Sequence, residues 1–116
     1  MVEITMSTIE GVHQLVVTGD VDASSSIHLD NAIRAAINEG HKKIMVDGSA
    51  LNYISSAGLG VFMSYLEDFS SQGIRFVVFG LQEKVYHVFK LIGLENLLKI
   101  VGTKEEAEAY LNDSQA

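Results

Sequence analysis

The stretch Lys43-Ile44-Met45-Val46-Asp47-Gly48-Ser49-Ala50-Leu51-Asn52-Tyr53-Ile54-Ser55-Ser56-Ala57-Gly58-Leu59-Gly60 carries the chain from one kind of secondary structure into another. Ile44-Met45-Val46 is a short apolar run, the pattern of a strand buried on both faces. A loop of about eight residues follows Val46. Two serines then stand immediately before Leu59, Phe62, Met63, Leu66 and Phe69, whose spacing of three and four residues predicts an amphipathic helix running to Gly73. A buried strand that leads through a loop into a helix is half of a βαβ unit.

The same alternation extends in both directions. Downstream, Ile74 to Phe79 reads as a second buried strand with Arg75 its one charge. Leu81, Val85, Val88, Phe89 and Ile92 mark a helix followed by Gly93, and Lys99-Ile100-Val101 a short strand. Thr103 and Glu106 match a capping box for a last helix that turns Ala107, Tyr110 and Leu111 inward. Upstream, Leu29, Ala32, Ile33, Ala36 and Ile37 repeat at helical spacing after the capping candidates Asp22 and Ser24-Ser25-Ser26, with Gly40 as the stop. Val2 to Ser7 and His13 to Thr18 alternate as strands around the turn signal Glu10-Gly11. Crossover connections make the later strands parallel, and the short turn makes the first two antiparallel. The expected fold is α/β, one domain over residues 1–116, with a mixed sheet of four to five strands, an N-terminal antiparallel hairpin and about four helices.

Composition narrows the function classes. The chain has 116 residues, 47% of them hydrophobic, enough for an ordinary buried core. It lacks cysteine, which excludes a disulfide framework and cysteine-bound zinc. Fifteen acidic residues against eight basic ones give a net charge of −7. Phosphate backbones and anionic headgroups demand clustered Lys and Arg, and only Lys42-Lys43 forms a basic pair. Nucleic acid and membrane are therefore not expected partners. No apolar run approaches the ~20 residues of a membrane span, and the first residues lack the basic and apolar regions of a secretory signal, so a cytoplasmic location is expected.

Chemistry can sit after the strand ending at Val46, because open α/β sheets place their sites beyond strand C-termini. Ser55 or Ser56, at a helix N-terminus, is well placed to carry a phosphate, favoured there by free N–H groups and the helix dipole. Either serine could equally be a simple N-cap. Gly58 and Gly60 in the first turn would let a partner's backbone approach closely. No Lys-Ser/Thr follows these glycines, so the stretch is not a phosphate-binding loop, and Gly-x-Ser-x-Gly is absent. His13, His28, His41 and His87 are scattered, with surface or structural roles expected. Asp22 and Asp47 follow predicted strands and read as a helix cap and a loop anchor, or as surface contacts. Phe62, Met63, Tyr65 and Phe69 read as core; Tyr86, His87 and Lys90 read as the wet face of their helix.

Tyr53-Ile54-Ser55-Ser56-Ala57-Gly58-Leu59-Gly60-Val61 resembles the signature of the STAS domain family, specifically of bacterial anti-sigma factor antagonists, in which a hydrophobic pair precedes Asp-Ser-Ser/Thr-Gly-Leu-Gly. Gly19-Asp20-Val21-Asp22, Val46-Asp47 and Leu91-Ile92-Gly93-Leu94 resemble further family segments, so the likeness covers nearly the whole chain. The resemblance implies a partner switch and no catalytic group or cofactor. The unphosphorylated protein binds an anti-sigma factor that is also a serine kinase and so frees a sigma factor. Phosphorylation of the serine corresponding to Ser56 releases that partner, and a serine phosphatase restores binding. Asp22, Asp47, Ser55, Ser56, Ala57, Gly58, Leu59 and Gly60 would then form the contact surface. The chain departs from the signature at Ser55, where the family's commonest residue is aspartate, and at Ala57, which removes a second acceptor. Ser55 is the alternative acceptor. The competing functions are a STAS scaffold or transporter-associated subunit that is not phosphorylated, and a small α/β nucleotide-binding enzyme.

Overall fold

The computed structural model describes residues 1–113. Two strands open the chain, β1 (Val2–Ile9) and β2 (Val12–Val21), paired antiparallel around a tight turn at Glu10-Gly11. There follow α1 (Ser26–Asn38), β3 (Lys43–Asp47), β4 (Leu51–Ile54), α2 (Ser56–Ser64), α3 (Leu66–Ser71), β5 (Arg75–Phe79) and α4 (Glu83–Leu91). A 3-10 turn at Leu94–Asn96, β6 (Lys99–Val101) and α5 (Lys104–Asn112) complete it. The sheet runs β1-β2-β3-β5-β6, with β2 parallel to β3, β3 to β5 and β5 to β6. The mixed α/β sheet and its antiparallel start are those expected from the sequence.

Two points differ. The stretch expected as an eight-residue loop contains β4, which pairs parallel with the upper part of β2 and brings the sheet to six strands. The single helix expected up to Gly73 is two, α2 and α3, separated at Tyr65. There the Tyr65 hydroxyl reaches across to donate to the Asp30 carboxylate on α1, while Phe62 and Phe69 on either side stay buried. Met63, expected in the core, is 47% exposed. Of the three α4 residues expected on its wet face, His87 and Lys90 are exposed. Tyr86 is half-buried and donates to Glu95.

Both faces of the central strands are covered, which explains their unbroken apolar runs. On one face Leu15, Val17, Ile44, Val46, Phe76 and Val78 meet Leu29 and Ile33 of α1, Phe62 of α2 and Phe89 of α4. The Phe62 ring packs edge-on against Phe76 and tilted against Phe89, with centroids 6.1 and 5.6 Å away. On the other face α5 alone seats Ala107 and Leu111 over Met45, Val77 and Phe79. Thr103 caps α5 by accepting from the Glu106 amide at 3.1 Å. Among the described residues no helix is long and apolar enough to cross a membrane.

Gly19 makes the upper sheet possible. It sits at φ +99°, and a Cβ there would stand 2.3 Å from the Met1 carbonyl oxygen. The register between β2 and β4 shifts between Gly19 and Asp20, a bulge that lets one strand pair with β3 below and β4 above. Val21 and Ile54 are thereby paired at the same end of the sheet.

Candidate functional site

At that end the chain passes from β4 into α2, and the two serines there take different positions. The Ser55 amide donates to the Val21 carbonyl at 2.8 Å, tying the start of α2 to the end of β2. Ser55 is the N-cap, with extended backbone (φ −84°, ψ 171°) and an Oγ that accepts from the Gly58 amide at 3.2 Å. Ser56 is the first residue of the helix and is exposed, and its hydroxyl makes no hydrogen bond among the described residues. The amides of Ser56 and Ala57 likewise lack an acceptor there, and the first turn of α2 carries no acidic side chain. The cap reading thus belongs to Ser55. Ser55→Ala is expected to cost about 0.5–2 kcal/mol of stability and Ser56→Ala close to nothing, in parallel urea denaturation of the two variants.

Gly58 and Gly60 also part company, and the shared reading that both admit a partner is corrected for Gly58. That residue is buried, and a Cβ on it would lie 2.7 Å from Ile54 Cγ1 and 2.8 Å from Val21 Cγ1. The close approach it permits is by the protein's own β2 and β4. Leu59 also faces the core, 4% exposed. Gly60 has nothing within 4 Å of its Cβ position. Ser56, Gly60 and Met63 therefore form an accessible line along α2, with Ala57 beside its start. Tyr53 on β4, 52% exposed, stands just before the serines. The sequence pattern reads Met63 as core and gives Tyr53 no surface signal. The spacing from Ser56 through Gly60 to Met63, one helical face, is the signal that could have found Met63.

Asp22 directly follows the last residue of β2, and Asp47 closes β3 opposite Val16, six residues before Asp22 along β2. Each carboxylate is engaged in its own loop, and neither hydrogen-bonds Ser55 or Ser56 among the described residues. Asp22 Oδ1 accepts from the Ser24 and Ser25 amides at 3.1 and 2.9 Å and from both their hydroxyls at 2.9 Å. Asp22 precedes the N-cap of α1, which is Ser25, so it braces the loop without capping the helix itself. Asp47 Oδ1 accepts from the Ser49 amide at 3.0 Å and its hydroxyl at 2.7 Å, bending the chain from β3 towards β4. Gln82, just before α4, donates to the Ser49 carbonyl and to Asn52 Oδ1 at 3.3 and 3.1 Å and fixes this loop from the other side.

The Ser24 hydroxyl foremost, then the Ser25 hydroxyl and amide, hold the Asp22 carboxyl down to about 2 from its ordinary 3.8. A depressed carboxyl stabilises the fold fully above its unfolded value and loses that contribution as pH falls through the folded one. Stability is therefore expected to decline between roughly pH 4 and pH 2 in wild-type protein. Asp22→Asn should flatten that part of the curve when denaturant midpoints are measured across the range.

Fold and site together define a small α/β domain that presents an exposed serine at a helix start, with braced acidic residues following β2 and closing β3. Residues 3–107 match the STAS domain, and the chain belongs to the STAS domain family. The anti-sigma-B factor antagonist of Listeria monocytogenes is 26% identical over 91 residues, covering 78% of this chain and 79% of that protein. The crystal structure of an anti-sigma factor antagonist from Mycobacterium paratuberculosis superposes with a TM-score of 0.89 at 21% identity, over 97% of this chain and 96% of the other. The Bacillus cell fate determinant SpoIIAA in its phosphorylated form gives a TM-score of 0.69 at 18% identity, over 91% and 96%. These two structures share the fold.

Proposed function

We propose that this chain is an anti-sigma factor antagonist that acts by partner switching. In its unphosphorylated form it binds an anti-sigma factor with serine-kinase activity, and a sigma factor is set free. That kinase phosphorylates Ser56, the complex separates, and a serine phosphatase returns the antagonist to its binding form. The chain supplies a surface and an acceptor hydroxyl and performs no catalysis itself.

The observation that carries this reading is the division of labour between the serines. Ser55 is consumed by capping, whereas Ser56 offers a free, exposed hydroxyl beside two open amides. A phosphoryl group there would meet the positive end of α2. Asp22 and Asp47, with Ala57 and Gly60, would flank the bound partner; Gly58 and Leu59 would act from beneath by holding the turn in shape. Among the described residues no histidine or lysine hydrogen-bonds either serine, so a nucleophile–base pair for an enzyme is not assembled there.

The test is intact mass and site mapping of the protein purified from its own host, beside the Ser56→Ala variant. One phosphoryl group on Ser56, absent from the variant, is the expected result. Modification at Ser55 would overturn the assignment of the acceptor. A chain unmodified in every growth condition would favour a scaffold that is never switched.

A further inference from the structure

The free edge of the sheet carries the strongest unexplained feature of the molecule. β1 is the outermost strand, eight residues long and paired with β2 in unbroken register. The Asp20 amide donates to the Met1 carbonyl at 3.0 Å, which fixes the alternation of the ladder. Odd-numbered residues of β1 exchange bonds with β2, and the N–H and C=O groups of Val2, Ile4, Met6 and Thr8 point away from it. Natural edges are blunted by short length, proline, lysine or a bulge. β1 has none of these: the chain lacks proline, and the strand's one charge, Glu3, is an odd residue on the opposite face from Ile4 and Met6.

The flank of this edge is mostly apolar, with Glu3 its one charged residue. Val2, Ile4 and Met6, together with Glu3, line a groove closed on its far side by His28, Asn31, Ala32 and Ala35 of α1. Met6 is 54% exposed. In a chain of net charge −7, this face of α1 bears no carboxylate; its Asp30 is turned aside to Arg34, 3.0 Å away.

We propose that β1 pairs antiparallel with β1 of a second copy, about a two-fold axis at Thr5, to continue the sheet across both molecules. The register follows from the sequence. It sets Val2 opposite Thr8 and Ile4 opposite Met6, and so uses the whole strand. Four outward residues on each of two strands, each donating one N–H, give eight hydrogen bonds. Ile4 and Met6 of both copies fill the two grooves. On the other face Glu3 meets the Ser7 hydroxyl and not a like charge, so the pairing is complementary in charge despite the acidity of the chain. A strand of this length spans about 27 Å. With the flanking helices it buries roughly 1,000 Å² in total, the low end for a specific interface, so the dimer is reversible with a Kd on the order of micromolar to tens of micromolar. β1 and β4 lie on opposite sides of the upper part of β2, so Ser56 stays open in the pair.

A single cysteine tests this in a chain that has none. Across the axis Thr5 faces its own copy in a non-hydrogen-bonded pair, with Cα atoms about 4.5 Å apart, inside the disulfide range. Thr5→Cys should give a covalent dimer under mild oxidation, much faster than the exposed control Ser64→Cys. In cysteine-free protein, sedimentation should show a concentration-dependent dimer. Met6→Lys should weaken it at least tenfold with unchanged circular dichroism. Amide exchange at Ile4, Met6 and Thr8 should slow with concentration while Thr5 and Ser7 stay protected throughout. A chain monomeric to about 1 mM (a Kd weaker than any specific pairing of use) would overturn the proposal. So would a dimer indifferent to Met6→Lys, or Thr5→Cys cross-linking no faster than the control.

Discussion

On the proposed function, Ser56→Asp is expected to bind the anti-sigma partner far more weakly than wild-type protein, and the phosphorylated chain to lose about 100-fold or more in affinity. Phosphorylation adds about −1.5 to −2 charges at neutral pH. If Ser56 lies inside the contact, that charge must shed water, at a cost of several kcal/mol unless cations of the partner meet it. Aspartate carries less charge than a phosphoryl group, so its loss should be the smaller of the two. Ser56→Ala should bind within about twofold of wild type, well under the 1.4 kcal/mol that a tenfold change represents. Calorimetric titration of these four forms against the proposed anti-sigma partner checks the order. Equal binding by Ser56→Asp and Ser56→Ala would remove Ser56 from the contact.

The second large effect concerns two substitutions that look alike on paper. Gly58→Ala is expected to destabilise the protein by about 1–3 kcal/mol, the usual cost of overpacking a filled interior. The added methyl would stand 2.8 Å from Val21 Cγ1 and 2.7 Å from Ile54 Cγ1, with Ile54 Cδ1 at 3.2 Å. The Ile54 tip can rotate away, but Val21 is fully buried at the end of β2 and has no such freedom. Gly60→Ala, two residues on, adds a methyl to open space and restores helix propensity worth about 0.5–1 kcal/mol. Opposite signs in urea denaturation are the expected outcome. Equal signs would mean that the start of α2 is packed otherwise.

Much of this architecture is legible in the residues themselves, and the parts that are not have identifiable causes. Ile44-Met45-Val46 and Phe76-Val77-Val78 announce buried strands because helices cover both of their faces. Thr103 and Glu106 mark the start of α5 because the cap is local. β4 is hidden because Leu51 and Ile54 are buried with Asn52 and Tyr53 exposed between them, a three-residue spacing that shows none of the alternation of a strand. Its partner is found only by knowing that β2 bulges at Gly19. The break at Tyr65 is silent because apolar spacing runs through it, from Leu59 and Phe62 to Leu66 and Phe69. At the site, the signature located the serines and their register. Which serine caps and which is free depends on backbone geometry, and Gly58 could be understood only once Val21 and Ile54 stood over it.

The bond from the Ser55 amide to the Val21 carbonyl has one more consequence. It anchors the first residue before α2 to a strand in the middle of the sheet, and the Ser55 cap locks the turn that follows. Nothing at this position is poised to swing. A mark written on Ser56 would act as a label and not as a lever: the scaffold beneath stays as it was, and the message exists only for a reader whose surface must fit over it. A phosphoryl group at the start of α2 would add slightly to the stability of the fold, so the same molecule can be cycled many times without drawing on its own stability.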